Sequence, residues 1–430
     1  MLVYLENGNS ITLTDEPFSS GGEGQVHSVK SAPLQFKDTC VKIYYKKCRT
    51  AQRANKIRFM VENPPSQIKG QGFLIGWPIS VIVDKNNDFM GFMMYLAPKN
   101  SIQLVNLTAT KISNKLDSEW HQYYSRENGK FALISRLKLI HNIAIPIHSL
   151  HSTNKYVLKD IKPQNLLVTR NGFVTLVDMD SIQICKDNKL LYPGEVLTPM
   201  YIPPEYYTRG TGKNLHMALD KSWDDFSLGV VFYQILFGLH PYVVTPKIIK
   251  DDSSSEIDEN IAKNLFPFGD NKYAIESYPK LHDKFNFLPN SIQSLFKKAF
   301  SSNTNVRPDA EEWGKELHLL LKGIVVPPPP PRPSLRHKVR FLTPEGNVIK
   351  ELWINHGQCL TKNQIPTLSN SYSDWNKNPD YSIITSDVDF RAVAITLPPP
   401  EPHPDDETIW IGIVVAVVAI IGIILAIIVS

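Results

Sequence analysis

The chain has 430 residues, of which 42% are hydrophobic and 20% are charged, and its formal net charge is +4 at pH 7. These values exclude an intrinsically disordered chain and leave room for two or three domains. The small net charge gives no reason to expect a nucleic-acid partner. The four scattered cysteines form no C-x-x-C pair, which favours free thiols in a reducing compartment over a zinc site.

Residues 1–97 have the pattern of a β-rich region with one helix. Within it, the segment 18–29 is rich in glycine, and glycines let backbone N–H groups approach a phosphate without obstruction from side chains. An ordinary tight hairpin would show a similar pattern. The residues of interest in this loop are Gly21, Gly22, Gly24 and Val26.

One lysine interrupts the apolar strand predicted for residues 39–44. Lys42 faces away from its apolar neighbours, and a lysine in that position is usually just solvated. The next segment, 49–62, has a helical pattern and a basic face that we expect to be solvated. Glu62 is the one carboxylate of this segment and directly precedes Asn63-Pro64-Pro65, which ends the helix.

After a further apolar strand at 89–96, the region 98–322 changes to a helical pattern. Met93, Met94 and Leu96 at the end of that strand are either core residues or part of a ligand cleft, and their pattern fits both. Residues 131–151 carry apolar side chains at helical spacing, which predicts a helix with one buried face. This helix leads directly into the most informative stretch of the chain.

Residues 156–180 contain two short apolar strands, joined by a turn at Asn171-Gly172. A hairpin of these strands would bring four polar residues to one edge: Asp160, Lys162, Asn165 and Asp178. Phosphoryl transfer needs this set, namely a carboxylate to orient a hydroxyl, an amide and a carboxylate to hold Mg²⁺, and a cation near the transferred phosphate. Each residue alone could belong to a solvated turn. The complete spacing D-x-K-x-x-N, with an Asp thirteen positions later, is much more specific.

This spacing resembles the catalytic and metal-binding loops of protein kinases, in particular bacterial kinases of the eukaryote-like type with D-x-D in place of D-F-G. The resemblance covers residues 1–322 and implies an α+β, bilobal kinase fold with an N-lobe at 1–97 and a C-lobe at 98–322. It also implies ATP and Mg²⁺ as cofactors and a protein substrate.

The resemblance assigns roles within the nucleotide site. Asp160 would orient the substrate hydroxyl, while Lys162 and Lys42 would neutralise phosphate charge. Asn165 and Asp178 would hold the metal. The glycine loop (Gly21, Gly22, Gly24 and Val26) would cover the phosphates, although Ser19 stands where the first glycine is usual.

Further roles follow from the same resemblance. Glu62 would anchor Lys42, Met93 would be the gatekeeper, and the backbone from Met94 to Leu96 would meet the adenine. Thr198 stands where Ser/Thr-specific kinases place a threonine that contacts the catalytic Asp. Three further residues would have structural roles. Asp224 would hold the catalytic-loop backbone, and Glu205 and Arg307 would form an ion pair.

The chain departs from the kinase pattern on both sides of the hairpin. Leu158 and Lys159 replace the His-Arg before the catalytic Asp, and Met179 and Asp180 replace the Phe-Gly after the metal Asp. Without that glycine the loop should flip less easily between active and inactive forms. The additional carboxylate is expected either to bind Mg²⁺ or to repel phosphate.

The last hundred residues carry different signals. A proline-rich linker at 323–337 precedes a module of alternating strands at 338–396, which resembles the Listeria–Bacteroides type of β-grasp repeat and should have a binding or spacing role. A second, acidic proline-rich linker follows at 397–408. Residues 409–430 carry no charge and would span about 33 Å as a helix, so we expect a single C-terminal transmembrane helix.

The N-terminus shows no secretory signal pattern, and a kinase needs ATP, so we expect a single-pass membrane protein whose kinase domain is cytoplasmic. The leading hypothesis is a membrane-anchored Ser/Thr protein kinase in signalling, with a cognate protein phosphatase as a further partner. The alternative is a pseudokinase that acts as a nucleotide-binding scaffold at the membrane. A pure adaptor would explain the tail but leave the catalytic residues unexplained.

Overall fold

The computed structural model describes residues 1–36, 38–187, 189–194, 197–208, 218–247, 257–323, 336–355, 357–380 and 382–395. They belong to two units, one within Met1–Arg332 and the other within Pro333–Ser430. The first unit contains the nucleotide-site residues predicted above.

The first two strands alternate between buried and more exposed residues, as half-buried strands do, whereas Thr39–Tyr44 and Phe73–Ile75 are buried throughout. The bounds of the N-terminal strands are β1 Leu2–Leu5, β2 Ser10–Leu13, β3 Ser19–Ser20, β4 Gly24–Ser31, β5 Thr39–Tyr44, β6 Phe73–Ile75, β7 Ser80–Val83 and β8 Phe89–Tyr95. All except β6 form a sheet in the order β2-β1-β7-β8-β5-β4-β3, and a pairing of β2 with β4 closes it on itself. One face of this sheet packs around a small apolar core that includes Val41, Ile43 and Met93.

Helix α1, Ala51–Glu62, follows β5 and begins where Thr50 accepts a hydrogen bond from the backbone N–H of Arg53. Ile57 and Met60 are fully buried and attach the helix to the main core of the unit. The prolines after Asn63 prevent the helix from continuing, as the sequence predicted.

The region after β8 is mainly helical, as predicted. The helices are α2 Val105–Thr108, α3 Ser118–Tyr124, α4 Gly129–His151, α5 Pro204–Thr208, α6 Ser222–Phe237, α7 Ile257–Ala262, α8 Asn290–Ala299 and α9 Ala310–Lys322. Nearly every residue of α6 is buried. This helix therefore forms the centre of the region, and α4 packs against both α6 and α9.

Short strands among these helices carry the functional loops. They are β9 Ile102–Gln103, β10 Tyr156–Val157, β11 Leu166–Val168, β12 Val174–Leu176, β13 Gln183–Lys186, β14 Lys189–Tyr192, β15 Thr245–Pro246 and β16 Ile275–Ser277. β11 and β12 pair in antiparallel fashion with Leu166 opposite Leu176. Gly172 has a φ of +82° in the turn between them, so the predicted hairpin is confirmed.

The second unit is a mixed sheet with the order β18-β17-β20-β19. Its strands are β17 Arg336–Leu342, β18 Val348–Asn355, β19 Tyr372–Trp375 and β20 Val388–Ala394. β17 pairs antiparallel with β18 and parallel with β20. Phe341, Trp375 and Phe390 are central to its core. The likeness to a β-grasp repeat stays a prediction.

Within the described part of the chain, no helix is both long and apolar enough to cross a membrane. The predicted transmembrane helix at 409–430 and the acidic linker at 397–408 lie outside the described residues, as do residues 324–335 of the first linker.

Candidate active site

The β11–β12 hairpin and the loop before it bring four polar side chains together. Thr198 donates a hydrogen bond from its hydroxyl to Oδ1 of Asp160 at 2.6 Å, and Lys162 Nζ lies 2.6 Å from Oδ2 of the same carboxylate. Lys162 Nζ also donates to the Thr198 hydroxyl at 3.0 Å. Asn165 Nδ2 donates to Oδ2 of Asp160 at 3.0 Å. Asp160 is thus held by a hydroxyl, an ammonium and an amide, and only 2% of its side chain is exposed.

Asp224 holds the backbone of this loop. The buried carboxylate of Asp224 accepts hydrogen bonds from the backbone N–H of Leu158 at 2.7 Å and of Lys159 at 2.8 Å, and it also contacts His151 Nε2 at 2.9 Å. Burial lowers the pKa of His151, but the hydrogen bond to Asp224 and its charge outweigh burial and raise that pKa overall. This anchor from α6 fixes the backbone directly before Asp160.

Asn165 and Asp178 meet the requirements of a divalent-metal site. The amide nitrogen of Asn165 donates to the backbone oxygen of Asp160 at 3.0 Å, which leaves its amide oxygen available as a ligand. Asp178 has 41% of its side chain exposed, and both residues line one small cavity. Within the described residues, no group of three or more His, Cys, Asp or Glu could hold a metal. An amide and a carboxylate fit Mg²⁺, which usually keeps waters and phosphate oxygens as its other ligands.

Lys42 is paired with both acidic residues of the D-x-D sequence. Its Nζ lies 3.0 Å from Oδ1 of Asp178, and 2.8 Å and 2.7 Å from the two oxygens of Asp180. Burial lowers the pKa of Lys42, but the two carboxylates raise it above its ordinary value overall. Burial raises the pKa of Asp180, but Lys42 holds it below its usual range. The pair is therefore ionised.

Tyr44 completes this ion-pair cluster. Its hydroxyl donates to Oδ2 of Asp180 at 2.6 Å, and the guanidinium of Arg53 on α1 lies 4.8 Å from the centre of its ring. Burial raises the pKa of Tyr44 well above its ordinary value, so the hydroxyl keeps its proton. Alternation along β5 places Lys42 and Tyr44 on the same face, opposite Val41 and Ile43.

The structure does not bring Glu62 to Lys42, which corrects the role assigned to that glutamate. Glu62 is exposed at the last residue of α1, and the described carboxylates that contact Lys42 belong to Asp178 and Asp180. The prolines that end α1 leave Glu62 at the terminus of the helix. Asp180 occupies the anchoring position instead, and the expectation that it binds Mg²⁺ or repels phosphate stays a prediction.

A cleft of about 510 Å³ lies beside this cluster. Gly21, Gly22, Gly24 and Val26 line one side, and Met94, Leu96 and Ala97 line another, so these predicted nucleotide-binding residues face a common space. A Cβ atom at Gly24 would lie 2.4 Å from the carbonyl oxygen of Ile43, whereas one at Gly21 or Gly22 would meet nothing within 4 Å. Gly24 is thus required for strand pairing.

Met93 does not line this cleft, contrary to the gatekeeper assignment. It is fully buried in the core of the closed sheet, because neighbours along β8 point to opposite faces. Phe92 and Met94 line the cleft instead. The alternative that Met93 is a core residue is therefore the one that the structure supports.

The predicted ion pair lies at the end of the segment 197–205, which corresponds in the kinase resemblance to the substrate loop and is given that name below. Arg307 donates to the two oxygens of Glu205 at 2.7 Å and 2.9 Å, and its side chain is only 1% exposed. It also donates to the backbone oxygen of Ser222 at 3.2 Å. These contacts join α5 to the start of α6 and the turn before α9.

Residues 100–319 match the family described as the protein kinase domain. The chain is 25% identical to protein kinase YegI of Escherichia coli O157:H7 over 324 residues, which cover 74% of this chain and 46% of that protein. It is 32% identical to citron rho-interacting kinase of Rattus norvegicus over 165 residues, which cover 37% of this chain and 7% of that protein. The chain therefore spans less than half the length of these curated relatives.

Proposed function

This chain belongs to the protein kinase domain family, and on that premise we propose that it transfers the γ-phosphate of ATP to serine or threonine hydroxyls of a protein substrate. The observation that carries the proposal is the cluster of Asp160, Lys162 and Thr198 at the end of a cleft that also contains Lys42 and Asp178. Each group that phosphoryl transfer requires is represented in this set.

The chain's own residues position both reactants. Asp160 orients the substrate hydroxyl and takes its proton through Oδ1, because this oxygen accepts one described hydrogen bond, from Thr198, and can accept a second. Its Oδ2 is already in contact with Lys162 and Asn165. Lys162 lies next to that carboxylate, where its charge offsets the charge that develops on the phosphoryl oxygens. Lys42 faces the cleft and holds the phosphates of the nucleotide.

Asn165 and Asp178 are the residues that would hold Mg²⁺. A bound Mg²⁺ neutralises charge on the phosphate oxygens during transfer. The positive φ of Asp178, +62°, is a strained conformation for a residue with a side chain, of the kind that functional sites retain.

Specificity for serine and threonine is supported by Thr198. Its hydroxyl donates to Asp160 and accepts from Lys162, so it joins the substrate loop to the catalytic loop. In Ser/Thr kinases, a threonine in this position contacts the catalytic Asp, according to the resemblance described above.

The proposal can be tested with the full chain in a mild detergent, labelled ATP, Mg²⁺ and a basic acceptor protein. We expect label on serine or threonine, its loss in Asp160→Asn, and its retention in Asp270→Asn, which changes an exposed carboxylate outside the site. Tight Mg-ATP binding without any transfer would overturn the proposal in favour of a nucleotide-binding scaffold.

We further propose that residues 409–430 anchor the protein in a membrane as a single span, with the kinase domain on the cytoplasmic side. The support is the uncharged, apolar composition of this segment and the need of the kinase domain for ATP. A chain that ends at residue 408 should leave the membrane fraction on alkaline extraction, whereas the full chain should stay. Accessibility of the kinase domain to protease in sealed vesicles tests its orientation.

A further inference from the structure

A second cavity, of about 300 Å³, lies in the helical region of the first unit and shares no lining residue with the nucleotide cleft. The first turns of α4 form one wall through Gly129, Leu133 and Arg136, which share a helix face. Arg126, the end of α6 and the segment 284–288 form the remaining walls. Its volume is at the lower end of the range for small-molecule sites, roughly 300–1,000 Å³.

The walls combine an apolar surface with positive charge. Five of the nine lining residues are Leu or Phe, and three are Arg or Lys. None of the described lining residues is acidic. Phe287 has 87% of its surface exposed, although a large apolar side chain gains free energy when it is covered. This composition fits a ligand with an apolar body and a negative charge.

The guanidinium of Arg136 has a buried nitrogen without a hydrogen-bond partner among the described residues. Arg136 is 6% exposed, and its Nη1 donates to the backbone oxygen of Tyr124 at 2.9 Å. Its Nε is buried and has no hydrogen-bond partner among the described residues, and no described carboxylate influences its charge. Burial, with a smaller effect of the nearby Arg126, lowers the pKa of Arg136 to about 9. A buried cation without a counter-charge is costly, and an anion would relieve that cost.

The other two cations differ in their surroundings. Arg126 donates to the backbone oxygens of Gln234 and Ile235 at 3.0 Å each, so the negative end of the α6 dipole compensates its charge. Lys284 is exposed at the cavity. Arg136 is therefore the group that a bound anion would pair with, and Lys284 can attract that anion from solvent.

We propose that this cavity binds a small amphipathic carboxylate, such as a medium-chain fatty acid, with its carboxylate at Arg136 and its apolar chain against Leu133, Phe237 and Phe287. A carboxylate can accept two hydrogen bonds from one guanidinium. The apolar wall explains why a simple inorganic anion would bind less well.

The test uses the full chain in detergent and three ten-carbon probes that carry a photoreactive diazirine near the tail: a carboxylate, an alcohol and an amine. Labelled peptides are identified by mass spectrometry, and non-photoreactive decanoate serves as the competitor. We expect the carboxylate probe to label residues 129–136 or 284–288 and decanoate to remove that label. Labelling of the apolar segment 409–430 by all three probes provides an internal reference for partition into micelles.

Four variants test the charge at the cavity and the volume of the cavity separately, with a surface charge outside the cavity as the control. Arg136→Met should reduce the site label about tenfold, which is the loss expected for one charge-assisted hydrogen bond. Leu133→Trp should also reduce it, because it narrows the cavity and leaves the charge in place. Lys284→Met should weaken labelling, whereas Lys280→Met, which removes an exposed charge outside the cavity, should not. Equal labelling by the alcohol and the carboxylate, or undiminished labelling in both Arg136→Met and Leu133→Trp, would overturn the proposal.

Discussion

The carboxylate of Asp180 lies within 2.8 Å of Lys42 Nζ through both of its oxygens, so the cleft lysine is anchored from the loop that follows Asp178, the proposed metal ligand. In kinases generally, a glutamate on the helix after this strand anchors the lysine, and movement of that helix controls activity. Here α1 contributes no described carboxylate to Lys42. Anchoring of the lysine should consequently depend on the D-x-D loop and not on a carboxylate of α1.

Asp180→Asn should lower kcat/KM for ATP roughly tenfold, because the amide keeps one acceptor but loses the charge that holds Lys42. The measurement is steady-state transfer at varied ATP concentration. Glu62→Gln is the matched control, since Glu62 is exposed and remote from the lysine's described partners. If Glu62→Gln reduces transfer as much as Asp180→Asn does, the assignment of the anchor to Asp180 is wrong.

The sequence could predict the parts of this site that lie close together in the chain. Asp160, Lys162 and Asn165 belong to one loop, and the turn at Gly172 fixes the hairpin that presents Asp178. Local spacing and turn chemistry decide these positions. The family match over residues 100–319 confirms the prediction of a protein kinase.

The ion-pair partner of Lys42, Asp180, could not be predicted from the spacing of residues along the chain. It depends on how the hairpin loop packs against β5, a contact between residues 138 positions apart. Two signals were present, namely the additional Asp of the D-x-D sequence and Tyr44 on the same strand face as Lys42. The position of Met93 was not predictable either. Neighbouring residues of β8 face the cleft and the core in turn, so an error of one residue in the alignment exchanges the two faces.

Thr198→Val should reduce transfer to protein substrates by roughly ten- to a hundredfold, because Asp160 loses a hydrogen bond donor and Lys162 loses an acceptor. Thr198→Ser keeps the hydroxyl and should retain most of the activity. Transfer to a serine and to a threonine peptide should be measured for both variants. A Val variant as active as the Ser variant would show that the hydroxyl has no part in transfer.

The buried Asp225 should make stability depend on pH. Burial is the main cause that raises its pKa from 3.8 to about 8, with Asp224 and Asp309 adding to it and His151 and Lys221 opposing it. Its Oδ1 is buried without a described partner, as suits a protonated carboxyl group. Between about pH 4 and pH 8 the folded state holds this proton and the unfolded state does not. Its contribution to stability is therefore full below about pH 4 and is lost as pH rises through about 8, by at most about 1.4 kcal/mol per pH unit.

Asp225→Asn removes that titration, so the stability of the variant relative to the native chain should increase between pH 5.5 and pH 8.5. Chemical unfolding of both proteins at several pH values measures the difference. His151 and Lys221 are common to both proteins, so their titration cancels to first order. A difference that does not change with pH would show that Asp225 is ionised throughout the range.

The ion pair of Glu205 and Arg307 should stabilise the fold without contributing to the chemical step. Glu205→Gln leaves a guanidinium that is 1% exposed without its counter-charge, which should lower the free energy of unfolding by about 3 kcal/mol. Arg307→Met removes the guanidinium from Glu205, while the double variant removes both charges. The double variant should therefore cost clearly less than the sum of the single variants, as measured by chemical unfolding. Additive costs would show that the two residues act independently, and a lower kcat in samples that remain folded would instead indicate that the pair positions the substrate loop.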